Sequence, residues 1–213
     1  MTTHVTTLVV IAKEPLPGRA KTRLHPPLTL EQAAEVAAAA IDDTLRAMRD
    51  MPAARRILLF DGDRTPAGSE DYEVVRQVDG GLDERLAAIF DAVDGPMILI
   101  GMDTPQVTAA HLAPVFEPWE VDAWFGPASD GGFWALGMRE PRGDLIRGVP
   151  MSTDRTGDIQ LDRLRDAGLT VGMLPTLDDV DTIDDARTVA DLAPATRFAA
   201  LVDALVPPAD THR

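Results

Sequence analysis

The chain has 213 residues, of which 45% are hydrophobic and 26% are charged, as expected for one globular domain covering residues 1–213. It contains no cysteine, which excludes thiol nucleophiles, cysteine-ligated zinc and iron–sulfur clusters. The 35 acidic and 20 basic residues give a formal net charge of −15, which argues against binding to nucleic acid or to a membrane surface.

The sequence contains no apolar run that approaches the roughly 20 residues of a membrane span. The apolar stretch at residues 8–12 is too short for the core of a signal peptide, and no basic segment precedes it. We therefore expect a soluble, cytoplasmic protein that has neither a nucleic acid nor a membrane as its partner.

Apolar runs rich in β-branched residues alternate along the chain with segments of helical periodicity. The predicted strands are residues 5–12, 56–60, 72–78, 96–101, 121–125, 133–138 and 170–174. The predicted helices are residues 29–51, 82–93, 108–116, 154–167 and 182–206. Residues 13–27 contain several prolines and cations and are predicted to form a loop.

Strands that alternate with helices are typical of βαβ units, so we predict an α/β fold with a mostly parallel sheet. The strand pair within residues 121–138 has the pattern of an antiparallel insertion. In such sheets ligands bind at the carboxyl ends of the strands. We therefore expect the loops that follow residues 12, 101, 125 and 174 to form one site.

The first of these loops, residues 13–24, reads Lys-Glu-Pro-Leu-Pro-Gly-Arg-Ala-Lys-Thr-Arg-Leu. Gly18 permits close approach of the backbone to a ligand, and lysine and arginine bind phosphate oxygens. The spacing matches neither a Walker A loop nor a dinucleotide fingerprint. The loop is predicted to bind phosphates, and a solvated basic loop is the alternative. Its four cations are Lys13, Arg19, Lys21 and Arg23.

The second loop holds Asp103, two residues after a strand that is predicted to be buried. A carboxylate at this point can ligate Mg²⁺, which prefers hard oxygen ligands and bridges phosphates. The alternative is an aspartate that forms a turn or a helix cap. Since Thr108 is already placed to cap the next helix, Asp103 is a candidate metal ligand.

The third loop contains Asp130, Gly131 and Gly132, which together are a turn signal. The two glycines also allow the backbone to approach a substrate, and the carboxylate of Asp130 can accept a hydrogen bond from it. These three residues are therefore candidates for substrate binding, with a purely structural turn as the alternative.

The fourth loop carries five aspartates within residues 178–185. Thr182 and Asp185 have the spacing of a capping box, and Asp184 lies near the positive end of the same helix. Asp181 precedes the cap and has no evident structural role. It is a candidate second metal ligand opposite Asp103, and a solvated acid at the helix start is the alternative.

Taken together, these motifs resemble an uncharacterised transferase family of the glycosyltransferase-A (GT-A) fold, associated with radical-SAM and selenoprotein genes. That family is related to 2-phospholactate guanylyltransferase, the molybdenum-cofactor guanylyltransferase and the sugar nucleotidyltransferases. The resemblance covers residues 5–189. Its motifs are Lys-x-Pro-x-Pro-Gly-Arg-x-Lys-Thr-Arg-Leu, Gly-x-Asp-x-Pro, Gly-Pro-x-x-Asp-Gly-Gly and Asp-Val-Asp-Thr, in this order.

The resemblance implies that the first loop cradles the phosphates of a nucleotide and that Asp103 and Asp181 hold one Mg²⁺ or Mn²⁺ ion. The stretch from Gln77 to Leu86 resembles a family segment that lies near the nucleotide. In this chain Asp83 stands where that segment has glycine, and a carboxylate beside a triphosphate is unfavourable. The implied nucleotide-binding residues are Ala12, Lys13, Gly18, Arg19, Lys21, Arg23, Gln77, Gly80, Gly81 and Arg85.

We predict a Mg²⁺-dependent nucleotidyltransferase that moves a nucleoside monophosphate from a nucleoside triphosphate to a phosphorylated or acidic small molecule. Lys21, Arg23 and Asp103 are the candidate catalytic residues. One alternative is a glycosyltransferase that uses a nucleoside-diphosphate sugar, and another is a non-catalytic nucleotide-binding protein. The sequence does not identify the base of the nucleotide, the acceptor or the oligomeric state, for which a homodimer is one possibility.

Overall fold

An apolar run forms strand β1 (Thr7–Lys13) in the interior of the sheet. β1 pairs in parallel with β2 (Arg55–Asp61) on one side and with β4 (Met97–Gly101) on the other. Alternate residues of β1 pack into the cores on opposite faces of the sheet, which explains why the strand is apolar throughout. The structure is a computed structural model that describes residues 6–206, so residue 5 of the first predicted strand lies outside it.

Four further strands complete a seven-stranded sheet: β3 (Glu73–Arg76), β5 (Ala123–Pro127), β6 (Phe133–Met138) and β7 (Val171–Met173). The order across the sheet is β3-β2-β1-β4-β6-β5-β7. Within the described residues, β6 runs antiparallel to β4 and β5, and the other strand pairs are parallel. The predicted α/β class, the mostly parallel sheet and the antiparallel insertion are confirmed.

Helices cover both faces of the sheet. Side chains of α1 pack with Leu8 and Val10 on one face, and side chains of α2 and α4 pack with Val9 on the other. Two later helices, α5 and α6, pack against α1 in a third apolar cluster. Among the described residues, no helix combines the length and the apolar character that a membrane crossing requires. The helices are α1 (Leu30–Arg49), α2 (Leu82–Ala92), α3 (Ala109–Leu112), α4 (Thr156–Asp166), α5 (Ile183–Leu192) and α6 (Arg197–Leu205).

Two predicted helices differ from the structure. The helix predicted at residues 182–206 is broken between α5 and α6, because Pro194 has no N–H to donate and Thr196 caps the start of α6. The helix predicted at residues 108–116 consists of α3 followed by a 3-10 turn (Ala113–Phe116), with Pro114 near the start of that turn. In both places proline prevents a continuous α-helix. A short 3-10 helix (Thr22–Leu24) also interrupts the loop predicted at residues 13–27.

Candidate functional site

A cavity of about 710 Å³ lies at the carboxyl ends of β1 and β4. Residues from all four of the predicted loops line it. The predicted site residues that line it are Ala12, Lys13, Arg19, Lys21, Arg23, Gln77, Arg85, Asp103, Asp130, Gly132 and Asp181. Gly18, Gly80, Gly81 and Gly131, which were also predicted to contact a ligand, are not among its lining residues.

Lys21 is the link between the two candidate metal ligands. Its Nζ lies 2.7 Å from Oδ1 of Asp103 and 3.5 Å from Oδ1 of Asp181, and only 6% of its side chain is exposed. Burial alone lowers the pKa of Lys21, but the charge and hydrogen bond of Asp103, aided by Asp181, outweigh it and raise the pKa above its ordinary value. Lys21 is therefore a charged ammonium shared by two carboxylates.

The backbone holds Lys21 in an unusual conformation. Its φ and ψ are 48° and 37°, in the left-handed region, which costs a residue with a Cβ about 1–2 kcal/mol. Ala20 on one side and Leu24 on the other are fully buried, so the loop is anchored on both sides of the lysine. This anchoring and the ion pairs offset the backbone cost and direct the ammonium into the cavity.

Arg23 supplies a second, more exposed cation beside the carboxylate of Asp181. Its NH1 donates to Oδ2 of Asp181 over 2.9 Å, while 75% of its side chain is exposed. An exposed ion pair contributes little stability. A bound anion can therefore draw Arg23 away from Asp181 with little loss of stability.

One backbone and one side-chain hydrogen bond hold the two aspartate loops together. The N–H of Val180 donates to the carbonyl of Asp103 over 3.1 Å, and Nε2 of Gln106 donates to the carbonyl of Asp178 over 2.6 Å. The capping box of Thr182 and Asp185 then starts α5 immediately after Asp181. Asp103 and Asp181 are therefore adjacent because of loop contacts that span more than 70 residues.

Asp179 is a cavity residue that the sequence analysis missed. Burial, followed by the charge of Asp103, raises its pKa to about 7, although Lys21 acts in the opposite direction. The sequence shows an acid-rich run at residues 178–185, but spacing alone does not indicate which carboxylates turn toward the cavity. At neutral pH this carboxyl group is partly protonated in the ligand-free protein.

Gln77 and Arg85 brace the strand ends beside the first loop. Nε2 of Gln77 donates to the carbonyl of Ala12 over 2.8 Å, and NH1 of Arg85 donates to Oε1 of Gln77 over 3.2 Å. Arg85 also pairs with Asp61 at 3.1 Å, and its Nε donates to the carbonyl of Gly80. Both side chains line the cavity while they fix the geometry of its wall.

The carboxylate of Asp83 is engaged away from the cavity. Its Oδ2 accepts a hydrogen bond of 2.8 Å from the N–H of Gly148, and Asp83 is not a lining residue. This contact ties the first turn of α2 to the loop after the 3-10 helix Gly143–Leu145. The departure from the family pattern at this position therefore places no negative charge in the cavity.

The turn at residues 130–132 joins β5 to β6 at the cavity edge. Oδ1 of Asp130 accepts from the N–H of Gly132 over 2.8 Å, and Gly131 has φ 89°. A Cβ on Gly131 would overlap the carbonyl oxygen of Asp154. Gly131 thus lets the turn pack directly against the segment before α4, while Asp130 and Gly132 line the cavity.

Solved structures with this architecture show which fold the chain has. A candidate nucleotide-diphospho-sugar transferase from Desulfovibrio desulfuricans G20 has a TM-score of 0.82 at 23% identity, with 94% of this chain and 96% of that chain covered. CMP:2-keto-3-deoxy-manno-octonic acid synthetase complexed with CTP has a TM-score of 0.55 at 11% identity, covering 90% and 99%. Inositol-1-phosphate CTP transferase from T. maritima has a TM-score of 0.54 at 12% identity, covering 96% and 99%.

These similarities confirm the GT-A fold implied by the sequence, which is the fold of nucleotide-diphospho-sugar transferases, and at such low identity they show the fold alone. No curated protein matches the sequence. The family model of uncharacterized proteins conserved in bacteria named DUF2064 matches residues 44–153, more than half of the chain, so the protein belongs to the DUF2064 family.

Proposed function

We propose that this protein is a nucleotidyltransferase that moves a nucleoside monophosphate from a nucleoside triphosphate to a small-molecule acceptor. The observation that carries the proposal is a set of five cations lining one cavity in a protein of net charge −15. Lys13 ends β1, and three others belong to the loop that follows it, where they can contact phosphate oxygens. A triphosphate supplies the negative charge that such a set can balance. The cations are Lys13, Arg19, Lys21, Arg23 and Arg85.

The shared fold supports this proposal without deciding it. Two of the similar structures are, by their names, a synthetase complexed with CTP and a CTP transferase. The alignments cover 99% of each of these two structures and 90% or more of this chain. The likeness therefore extends over the region in which the cavity of this protein lies.

The donor set of the cavity fits a divalent cation such as Mg²⁺ or Mn²⁺. A single cation, the ammonium of Lys21, already contacts both Asp103 and Asp181, so the two carboxylates can reach one ion. Among the described residues, no group of three or more acidic or histidine side chains forms a metal cluster. Mg²⁺ usually takes one or two carboxylates together with substrate phosphates and water, and Asp103 and Asp181 supply the carboxylates. When bound, the ion would neutralise charge on the phosphates.

The side chains of this protein then have distinct roles in the transfer. An oxygen of the acceptor attacks the α-phosphorus, the bond from phosphorus to the bridging oxygen breaks, and pyrophosphate leaves with the bonding electrons. Lys21 and Arg23 stabilise the negative charge that grows on the leaving group. Gln77 and Arg85 keep the ends of β1 and β3 in place, so that the phosphates meet a preformed wall.

Asp130 favours a second candidate, a glycosyltransferase that uses a nucleoside-diphosphate sugar. Its carboxylate lines the cavity and is exposed, so it can take the proton from an acceptor hydroxyl. The five cations favour the triphosphate over this donor. Release of pyrophosphate during turnover supports nucleotidyl transfer, and release of a free nucleoside diphosphate supports glycosyl transfer.

Isothermal titration with each of the four common nucleoside triphosphates, with and without Mg²⁺, tests the proposal. We expect one or more of them to bind, and to bind more tightly with Mg²⁺. Asp103→Ala should retain the fold and lose both turnover and the Mg²⁺ effect. Absence of metal-dependent binding by every triphosphate would contradict the proposal. Binding without turnover for any acceptor would favour a non-catalytic nucleotide-binding protein.

A further inference from the structure

The cations and the anions that line the cavity come from different parts of the chain. Every lining cation comes from residues 13–85, and every lining anion comes from residues 103–181. The acids are Asp103, Asp130, Asp154, Asp179 and Asp181. Asp103 and Asp181 pair with Lys21, and Asp179 also interacts electrostatically with it. Among the described residues, neither Asp130 nor Asp154 forms an ion pair with a lining cation.

We define the acceptor wall as the lining residues within residues 130–134 and 151–156. Besides its two acids, it presents the hydroxyl-bearing residues Ser152, Thr153 and Thr156 and apolar side chains. Arg155 is the one cation in these two segments, and it is not a lining residue. Among the described residues, the acceptor wall therefore offers a ligand no lysine or arginine.

The acceptor wall is preformed. The N–H of Gly157 donates to the carbonyl of Gly131 over 2.8 Å, which joins the start of α4 to the turn between β5 and β6. Neither glycine has room for a Cβ, because it would overlap backbone atoms of the opposite segment. Oγ1 of Thr156 donates to the carbonyl of Pro150 over 2.9 Å and accepts from the N–H of Thr153. The polarity of the wall is thus fixed before a ligand arrives.

Ionised carboxylates only accept hydrogen bonds. A phosphate or carboxylate group on the acceptor would have no proton to donate to them and would be repelled by like charge. Hydroxyl groups donate to carboxylates and exchange hydrogen bonds with Ser152 and Thr153, while Phe133 and Met151 can pack against carbon-bound hydrogens. The chemistry of the wall therefore matches a ligand that is rich in hydroxyl groups and carries no net charge.

We propose that the acceptor is an uncharged polyhydroxylated compound, a sugar or another polyol, and that Asp130 and Asp154 select it. This acceptor differs from the phosphorylated or acidic one predicted from the sequence, and the proposal rests on the proposed nucleotidyl transfer. The proton that the reacting hydroxyl loses passes to a carboxylate of the acceptor wall. The proposal concerns the acceptor half of the cavity, so nucleotide binding can be tested separately from it.

The test uses the full chain with Mg²⁺ and saturating nucleoside triphosphate, and matched ligands that differ in charge. Saturation-transfer NMR would compare glucose, galactose, mannose and myo-inositol with hexose 1-phosphates, hexuronates and hexosamines, while ³¹P signals report nucleotide binding in each sample. We expect at least one neutral compound to bind about tenfold or more tightly than its anionic counterpart. Asp154→Lys should reduce or reverse that preference, and Arg155→Ala, a neighbour outside the cavity, should leave it unchanged.

Each outcome decides one of the two proposals. If no nucleotide binds, the proposed function fails. If the nucleotide binds but an anionic ligand binds more tightly than its neutral counterpart, or no neutral ligand binds, the polyol proposal is overturned. Strongest binding by the hexosamines would replace it with an amine acceptor. An unchanged preference in Asp154→Lys would remove Asp154 from its assigned role.

Discussion

The ammonium of Lys21 lies 2.7 Å from Oδ1 of Asp103, although they are 82 positions apart in the chain, and 3.5 Å from Oδ1 of Asp181. It thus lies between the two proposed metal ligands. The same side chain is proposed to contact the phosphates of the nucleotide. In this proposal the ammonium of Lys21 can pair either with the two carboxylates or with the phosphates, so a bound triphosphate competes with Asp103 and Asp181 for it.

Replacement of Lys21 by methionine should strengthen metal binding in the absence of nucleotide. Because the ammonium no longer pairs with Asp103 and Asp181, Mn²⁺ should bind the variant roughly tenfold more tightly than the wild-type protein, while triphosphate affinity falls. Electron paramagnetic resonance of free Mn²⁺ measures the first effect, and calorimetry the second. Lys13→Met, which also removes a lining cation, is the control and should lower triphosphate affinity without raising Mn²⁺ affinity. Equal Mn²⁺ affinity in the wild-type protein and in Lys21→Met would contradict the competition between the Lys21 ammonium and the metal ion for the two carboxylates.

Asp103→Asn should destabilise the protein in a pH-dependent way. The raised pKa of Lys21 means that its charged form stabilises the fold fully below pH 10.5 and that this stabilisation disappears as pH rises through the folded-state pKa. We expect the free energy of unfolding to fall by about 1–2 kcal/mol at pH 7. The loss is smaller than for a fully buried pair, because Asp103 is 37% exposed and Asp181 remains near Lys21. Urea unfolding at pH 7 and at pH 11 measures it, with Asp144→Asn in the exposed Arg142 pair as control. Equal losses in the two variants would show that the Lys21–Asp103 pair stabilises the protein no more than the exposed Arg142–Asp144 pair does.

Asp179→Asn should stabilise the ligand-free protein at pH 8 and have little effect at pH 4. The folded-state pKa of Asp179 is raised from 3.8 to about 7, so the folded protein binds its proton more tightly than the unfolded chain. The contribution of this group therefore decreases stability as pH rises from 4 to 7. We expect a gain of roughly 2–4 kcal/mol at pH 8, measured by urea unfolding across this pH range. Asp178→Asn, its neighbour in the chain, is the control, and the same gain in both variants would argue against burial of Asp179 as the cause.

Gly131→Ala should destabilise the protein more than alanine at another glycine with positive φ. Both Gly131 and Gly168 have positive φ, but a Cβ at Gly168 meets no atom within 4 Å, whereas one at Gly131 overlaps the backbone of Asp154. We expect about 1–2 kcal/mol at Gly168 from the backbone conformation and roughly 1–3 kcal/mol more at Gly131 from the overlap. Thermal unfolding of the two variants gives the difference. Equal destabilisation would mean that the turn and the segment before α4 can separate without cost.

Asp83→Ala should cost stability and leave triphosphate affinity unchanged. The substitution removes the hydrogen bond from the N–H of Gly148, which we expect to contribute about 1 kcal/mol, and removes no charge from the cavity. Urea unfolding and nucleotide titration on the same protein separate the two effects. A clear increase in triphosphate affinity would show instead that the carboxylate of Asp83 acts on the nucleotide.

The sequence by itself determined most of the elements and the class of fold, because their signals are local. Apolar β-branched runs such as Val9–Ile11 form strands wherever both faces are covered, and capping pairs such as Thr182 and Asp185 start helices within four residues. The alternation of strands and helices then restricts the sheet to a mostly parallel one, whose carboxyl edge collects the four loops.

Only the tertiary structure decided which loop residues meet. The pairing of Lys21 with Asp103, the inward turn of Asp179 and the engagement of Asp83 by Gly148 all depend on contacts between segments far apart in the chain. Spacing along a loop does not encode such contacts, because the direction of each side chain is set by the packing of neighbouring segments. The sequence predicted a phosphate-binding loop because that loop is one continuous segment. The acceptor wall combines two segments, residues 130–134 and 151–156, so it could be recognised only in the folded chain.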